Sequence, residues 1–224
     1  MLSQAKILHN KRRQYGYGIV TDFIDSQPDD QAQILDGELK RNARSPYCGD
    51  IIKKYPKPHL PIWAFVEIIS FGRFVSFYKF CADRLMDQDM QDNHYLMKQI
   101  RDLRNAAAHN NCLLNDLRSK ICNPTPNNSL MKALGEIGIS KATRKSKMHN
   151  ARIQQIVTLL YTHKKLVGSD GVHEHRSKDL HALISERMFR HKCYYLNNDT
   201  ILTTFNFLRD VVDNWFLIEY NVDT

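Results

Sequence analysis

The chain has 224 residues and a mass of 26.2 kDa, enough to bury one good core and carry a small appended unit. Its apolar fraction of 42% and charged fraction of 25% are ordinary for a globular protein, and neither an internal repeat nor a low-complexity tract interrupts it. A formal net charge of +8 and a pI near 9.2 favour a polyanionic partner, nucleic acid ahead of membrane.

In chain order, residues 1–27 mix basic side chains with Tyr15-Gly16-Tyr17-Gly18 and then apolar Ile19, Val20, Phe23 and Ile24, which predicts a short helix or irregular arm. Pro28-Asp29-Asp30 predicts a helix start, because acidic side chains suit the positive end of the helix dipole; that helix runs to about Arg44. Ser45 to Gly49 breaks it, and Tyr55-Pro56-Lys57-Pro58-His59-Leu60-Pro61 is a stiff, extended connector. From Ile62 to Met86, Ala64, Ile68, Phe71, Val75 and Tyr78 recur at three- and four-residue steps and predict one long helix. Asp92-Asn93 can cap the next helix, expected to reach about Arg118 with a bend near His109-Asn110-Asn111.

Cys122 to Ser129 is a loop by its proline and asparagine content, and Leu130 to Ile139 is expected to form one or two helical turns. A lysine-rich run, Lys141 to His149, reads as a basic loop. Asn150 to Val167 is a helix with Ile153, Ile156, Val157, Leu160 and Tyr161 on its apolar side, ended by Gly168 to Gly171. Helices over about 174–191 and 199–218 close the chain. Strand alternation is scarce, so the expectation is an all-α helical bundle. The proline-rich connector would divide a helical N-terminal extension, 1–59, from a main bundle, 60–224.

Cys48, Cys81, Cys112, Cys122 and Cys193 are odd in number and show no CxxC spacing, as expected of free thiols in a reducing cytoplasm. The first residues lack the uninterrupted apolar core of a signal peptide. Leu60 to Ala82 is the most apolar stretch, but Glu67, Arg73 and Lys79 interrupt it and favour a buried amphipathic helix over a membrane span.

The segment Gln99-Ile-Arg-Asp-Leu-Arg-Asn-Ala-Ala-Ala-His109 carries the most chemistry. At about 100° per residue, Arg101, Arg104, Asn105 and His109 fall within an arc of roughly 140°, with Leu96, Ile100, Leu103, Ala107 and Leu114 on the opposite side. A guanidinium that can hold a phosphate, near an imidazole that can move a proton, is the minimal equipment for cleaving RNA without a metal. Arg-x4-His spacing also occurs at Arg144/His149 and Arg176/His181, so spacing alone does not choose among three pairs; the alternative for each is a solvated helix face.

Leu60 to Tyr78, with Trp63, Glu67 and Ser70-Phe71-Gly72, followed by Leu103-Arg104-Asn105-Ala-Ala-Ala-His109, resembles the bacterial abortive-infection (Abi) proteins of the Abi_2 type, themselves similar to the HEPN superfamily of helical bundles. The resemblance is specific over roughly 60–115, while residues 1–59 do not match the family's longer leading region. It implies a HEPN-like bundle and a ribonuclease site needing no metal or cofactor, commonly assembled from two copies across a homodimer. By position, Arg104 would steady the scissile phosphate and His109 would serve as general acid or base. Asn105 would orient His109 or the phosphate. An RNA or protein regulator is implied, since such an activity needs restraint in a healthy cell.

Other residues have weaker claims. Glu67 lies among apolar neighbours, so it is expected either to pair with Arg73 or Arg104 as structure or to hold the catalytic arginine. Arg101, Lys141, Arg144, Lys145 and Lys147 are candidate contacts for an RNA backbone. His173, His175, His181 and His191, with Cys193, fit no tight metal site and read as surface residues. Two alternatives to a nuclease stay open: a non-catalytic RNA-binding module of the same fold, and a helical protein-interaction domain.

Overall fold

The computed structural model describes residues 16–118 and 125–218. The expected arm before Gly16, and Cys122, lie outside the described residues. Within them the chain is all-α, with eleven α-helices and no strand. These are α1 (Tyr17–Asp25), α2 (Asp29–Asn42), α3 (Gly49–Lys54), α4 (Ile62–Ile68), α5 (Phe71–Leu85), α6 (Gln88–Ala108), α7 (Asn128–Glu136), α8 (Lys141–Met148), α9 (Ala151–Leu166), α10 (Asp170–His181) and α11 (Asp199–Trp215). A π-turn, Ala182–Arg187, prolongs α10. The chain divides into two compact units, 1–94 and 95–224, and α6 runs across the division.

In the first unit, α1 to α5 bury Val20, Phe23, Ile24, Leu35, Leu39, Leu60, Phe65, Ile68 and Phe77 around one core. Phe23, Phe65 and Phe77 meet edge to face with centroids 5.1–5.8 Å apart, the arrangement that brings a ring's positive edge onto a neighbour's negative face. The proline-rich connector ends inside this core, since Leu60 is 1% exposed. The one long helix expected over Ile62 to Met86 is two. Ile69 and Ser70 are extended, with ψ of 156° and 154°.

The break is stabilised from α2. Glu38, buried, accepts the Ser70 backbone N–H at 2.5 Å and the Arg73 Nε–H at 2.9 Å, while Asn42 donates to the Ile68 carbonyl at 2.5 Å. Backbone groups freed by the interruption thus find partners on another helix, which is what a buried helix end requires. Arg73 therefore pairs with Glu38 and not with Glu67, which is exposed.

In the second unit, α7, α9, α11 and the π-turn enclose Leu130, Leu134, Ile153, Val157, Ile184, Phe207, Leu208, Val211, Val212 and Trp215. Side chains cap four of its helix starts. Asn127 accepts from Ser129 and Leu130, Ser140 from Thr143, Asn150 from Arg152 and Ile153, and Asn198 from Ile201. Cys48, Cys81, Cys112 and Cys193 are free thiols. No helix among the described residues is long and apolar enough to cross a membrane.

Candidate functional site

Helix α6 starts and stops where local chemistry directs it. The Asp87 carboxylate accepts the Met90 N–H at 2.9 Å, so capping falls five residues earlier than the Asp92-Asn93 expected from sequence. At the other end, Asn110 takes the left-handed conformation, φ 54°. Its N–H reaches the Ala107 carbonyl at 3.0 Å and the Asn111 N–H reaches that of Ala106 at 2.9 Å. This is a Schellman closure, and it ends the helix at Ala108, ten residues before the expected Arg118. His109 is the capping residue, its N–H still bonded to the Asn105 carbonyl at 3.1 Å. Arg104 and His109 consequently keep their helical separation of about 140°.

Leu96 and Leu103 are buried, as the apolar side of α6 requires, whereas Ala107 is exposed. Arg104, Asn105 and His109 are all exposed. Arg104 Nη1 donates to Asn105 Oδ1 at 3.3 Å, so the asparagine side chain engages the arginine rather than the imidazole. Among the described residues no carboxylate pairs with Arg104, and the His109 ring makes no hydrogen bond. Arg101 differs: its Nε and Nη2 both donate to Asp102 Oδ1, at 3.1 and 3.0 Å, which offsets its charge.

The other two Arg-x4-His pairs are engaged elsewhere. The Arg144 guanidinium lies against Gly135 of α7, where a Cβ would meet Nη1 at 2.2 Å, and donates to the Met131 carbonyl at 2.5 Å. Arg176 is paired with Asp179 at 2.7 Å. His181 donates from Nε2 to the Phe216 carbonyl at 2.7 Å, with Nδ1 3.4 Å from Asp213 Oδ1.

The basic run is helix α8 and not a loop. Ser140 caps it, and the turn it imposes sends Arg144 and Lys147 inward while Lys141 and Lys145 stay exposed. Lys147 Nζ donates to the Thr203 and Thr204 hydroxyls at 2.7 and 3.0 Å, and burial pushes its ammonium below the ordinary lysine range. Of the candidate RNA contacts, only Lys141 and Lys145 are presented to solvent without such anchoring.

The histidines near the C-terminus are not all surface residues. His173 stacks on Phe216 with centroids 5.2 Å apart, and His163 packs on the same ring at 5.4 Å. Among the described residues no three His, Cys, Asp or Glu side chains stand together as a metal site.

Sequence reasoning missed Asn150. Its amide Nδ2 donates to the Asp116 and Arg118 carbonyls at 2.8 and 3.0 Å while its oxygen caps α9. Arg152 Nε adds a bond to Asn115 Oδ1 at 3.2 Å. The segment that follows His109 is thereby fastened to the start of α9. The available signal, an asparagine at the start of the predicted helix, fits a cap but does not say what the other end of the amide holds.

A family model described as Abi-like protein matches residues 3–115. The match begins well before the Trp63 block, so the lack of likeness expected for residues 1–59 is corrected. No curated protein and no solved structure matches the chain.

Proposed function

The chain belongs to the Abi-like protein family, and from that premise we propose that it is a metal-independent endoribonuclease of HEPN type, acting in abortive-infection defence against phage. The observation that carries this is selective exposure. Of three Arg-x4-His pairs, Arg104/His109 alone has both side chains exposed, and among the described residues its guanidinium has no carboxylate partner and its imidazole no hydrogen bond; the pair also lies within the matched residues.

The chemistry follows from the groups. His109 takes the proton of a ribose 2′-hydroxyl, and the oxygen attacks the adjacent phosphorus. The O2′–P bond forms and the P–O5′ bond breaks, with a proton delivered to the departing 5′ oxygen by a second imidazole. Arg104, steadied by Asn105, balances the charge that builds on the non-bridging phosphate oxygens. The products are a 2′,3′-cyclic phosphate and a 5′-hydroxyl. Two groups about 140° apart on one helix do not aim at one atom, so a homodimer that sets two α6 helices around one phosphate completes the site. Exposed Lys141 and Lys145 extend the cationic surface for the RNA backbone.

The test uses purified protein, EDTA and mixed RNA. Cleavage that is lost in His109→Ala while RNA binding persists supports the nuclease. Equal binding with no cleavage by either protein makes the chain an RNA-binding module instead, and the absence of salt-sensitive RNA binding refutes both.

A further inference from the structure

The segment between the π-turn and α11 exposes aromatic surface that core packing does not use. Met188 to Asn198 folds into successive tight turns, with the Lys192 N–H on the Phe189 carbonyl at 3.1 Å, Tyr194 on His191 at 3.0 Å and Asn198 on Tyr195 at 2.9 Å. Its inner side is anchored to α11. The Tyr195 hydroxyl donates to the Met188 carbonyl at 2.5 Å, and the Tyr195 ring meets Phe205 edge-on with centroids 5.2 Å apart. Phe189 also meets Phe205, at 6.2 Å, and the Arg209 guanidinium covers its face at 4.9 Å.

The outer side is different in kind. Tyr194 is 83% exposed, and its ring lies nearly parallel to that of His191, at 19° with centroids 5.5 Å apart. Exposed Arg187, Arg190 and Lys192 flank this pair along the chain, and none of the three forms an ion pair among the described residues. Between Leu183 and Asn198 the sequence sets one carboxylate, Glu186, against these three cations. The anchoring by Tyr195 and Phe189 fixes the turns in advance, so a ligand meets the exposed rings already stacked.

We infer that His191 and Tyr194, with Arg187, Arg190 and Lys192 close along the chain, form a stacking platform for single-stranded RNA. An unpaired base extends the His191–Tyr194 stack on the open face of Tyr194, and the cations hold the phosphates on either side. A duplex keeps its bases stacked on one another and has none to offer. The inference rests on the proposed nuclease reading for its choice of RNA and deepens it, adding a base-binding surface that Arg104, Asn105 and His109 do not supply.

Binding of a labelled, unstructured RNA strand to the full chain, followed by fluorescence anisotropy in EDTA, tests it. Tyr194→Ala weakens binding about five- to 150-fold, the range for losing one stacked base, while Tyr194→Phe binds like the parent. Arg190→Ala with Lys192→Ala lowers the slope of log affinity against log salt by about 1.4, for two phosphate contacts. Equal affinity of Tyr194→Ala and parent overturns the platform, as does a duplex of the same sequence bound as tightly as the strand. A preference for the corresponding DNA strand overturns the assignment to RNA. Absence of cleavage by the parent with the Tyr194 effect intact would remove the nuclease and leave the platform. Intact cleavage with no Tyr194 effect would do the reverse.

Discussion

Asn150 joins two tasks in one amide, and substitutions can separate them. Asn150→Ala removes a helix cap, about 1 kcal/mol, and two hydrogen bonds to carbonyls of the segment after His109, about 0.5–1.5 kcal/mol each. The sum is about 2–4 kcal/mol, which in a chain of this size lowers the melting midpoint by roughly 4–16 °C. Asn150→Asp keeps the oxygen that accepts from Arg152 and Ile153 but places a carboxylate against the carbonyls of Asp116 and Arg118. Its damage therefore falls on the segment and not on the cap. Urea denaturation reports the overall loss, and amide exchange reports its location: faster exchange over 112–118 in both variants, with faster exchange in the first turn of α9 in Asn150→Ala alone. If Asn150→Asp matches the parent in midpoint and in exchange over 112–118, the amide does not fasten that segment and the reasoning fails.

If two subunits share one cleavage site that uses both His109 imidazoles, an equal mixture of parent and His109→Ala after subunit exchange keeps about a quarter of the activity of the same amount of parent, because only about a quarter of the dimers are fully parental; retention of about half places each site within one chain. Glu38→Gln strips the charge partner from buried Arg73 and costs about 3 kcal/mol or more, read as a lower denaturant midpoint; an unchanged midpoint refutes the pair's role. Burial, helped by His173 and Arg176, holds the His163 imidazole below its ordinary value of 6.5, so the unfolded chain takes up that proton first. Stability from this group is complete above that value and falls as the pH drops below it. The decline in urea midpoint between pH 7.5 and 5.5 is accordingly smaller in His163→Gln.

Periodicity and capping chemistry made most helices legible. Asp29 and Asp30 announced α2, Asn150 announced α9, and the apolar steps from Ile153 to Tyr161 named the face that α9 buries. What failed was nonlocal. Ser70 and Gly72 are only weak local signals of a break at Ile69 and Ser70, and the group that stabilises it, Glu38, is 32 residues earlier. Helix α6 ends at Asn110 because asparagine tolerates a left-handed backbone, a signal that was present in the sequence and read as a bend. The basic run hid its inward residues for a different reason: Lys147 turns toward hydroxyls more than fifty residues away, and composition does not tell an anchored ammonium from a solvated one. At the candidate site, spacing offered three equal Arg-x4-His pairs, and only the surroundings of each pair show which of them has both groups exposed.

The Glu38 carboxylate also makes the first unit conditional on its own earlier sequence. Released from that contact, residues 62–86 have little local reason to bend: the apolar steps run through Ser70 without a fault, and a continuous rod satisfies every amide in the stretch. An excised peptide would therefore obey its own periodicity and straighten. The corner that lets Phe65 and Phe77 meet comes from a neighbour, so α2 acts on this stretch as an internal template for shape.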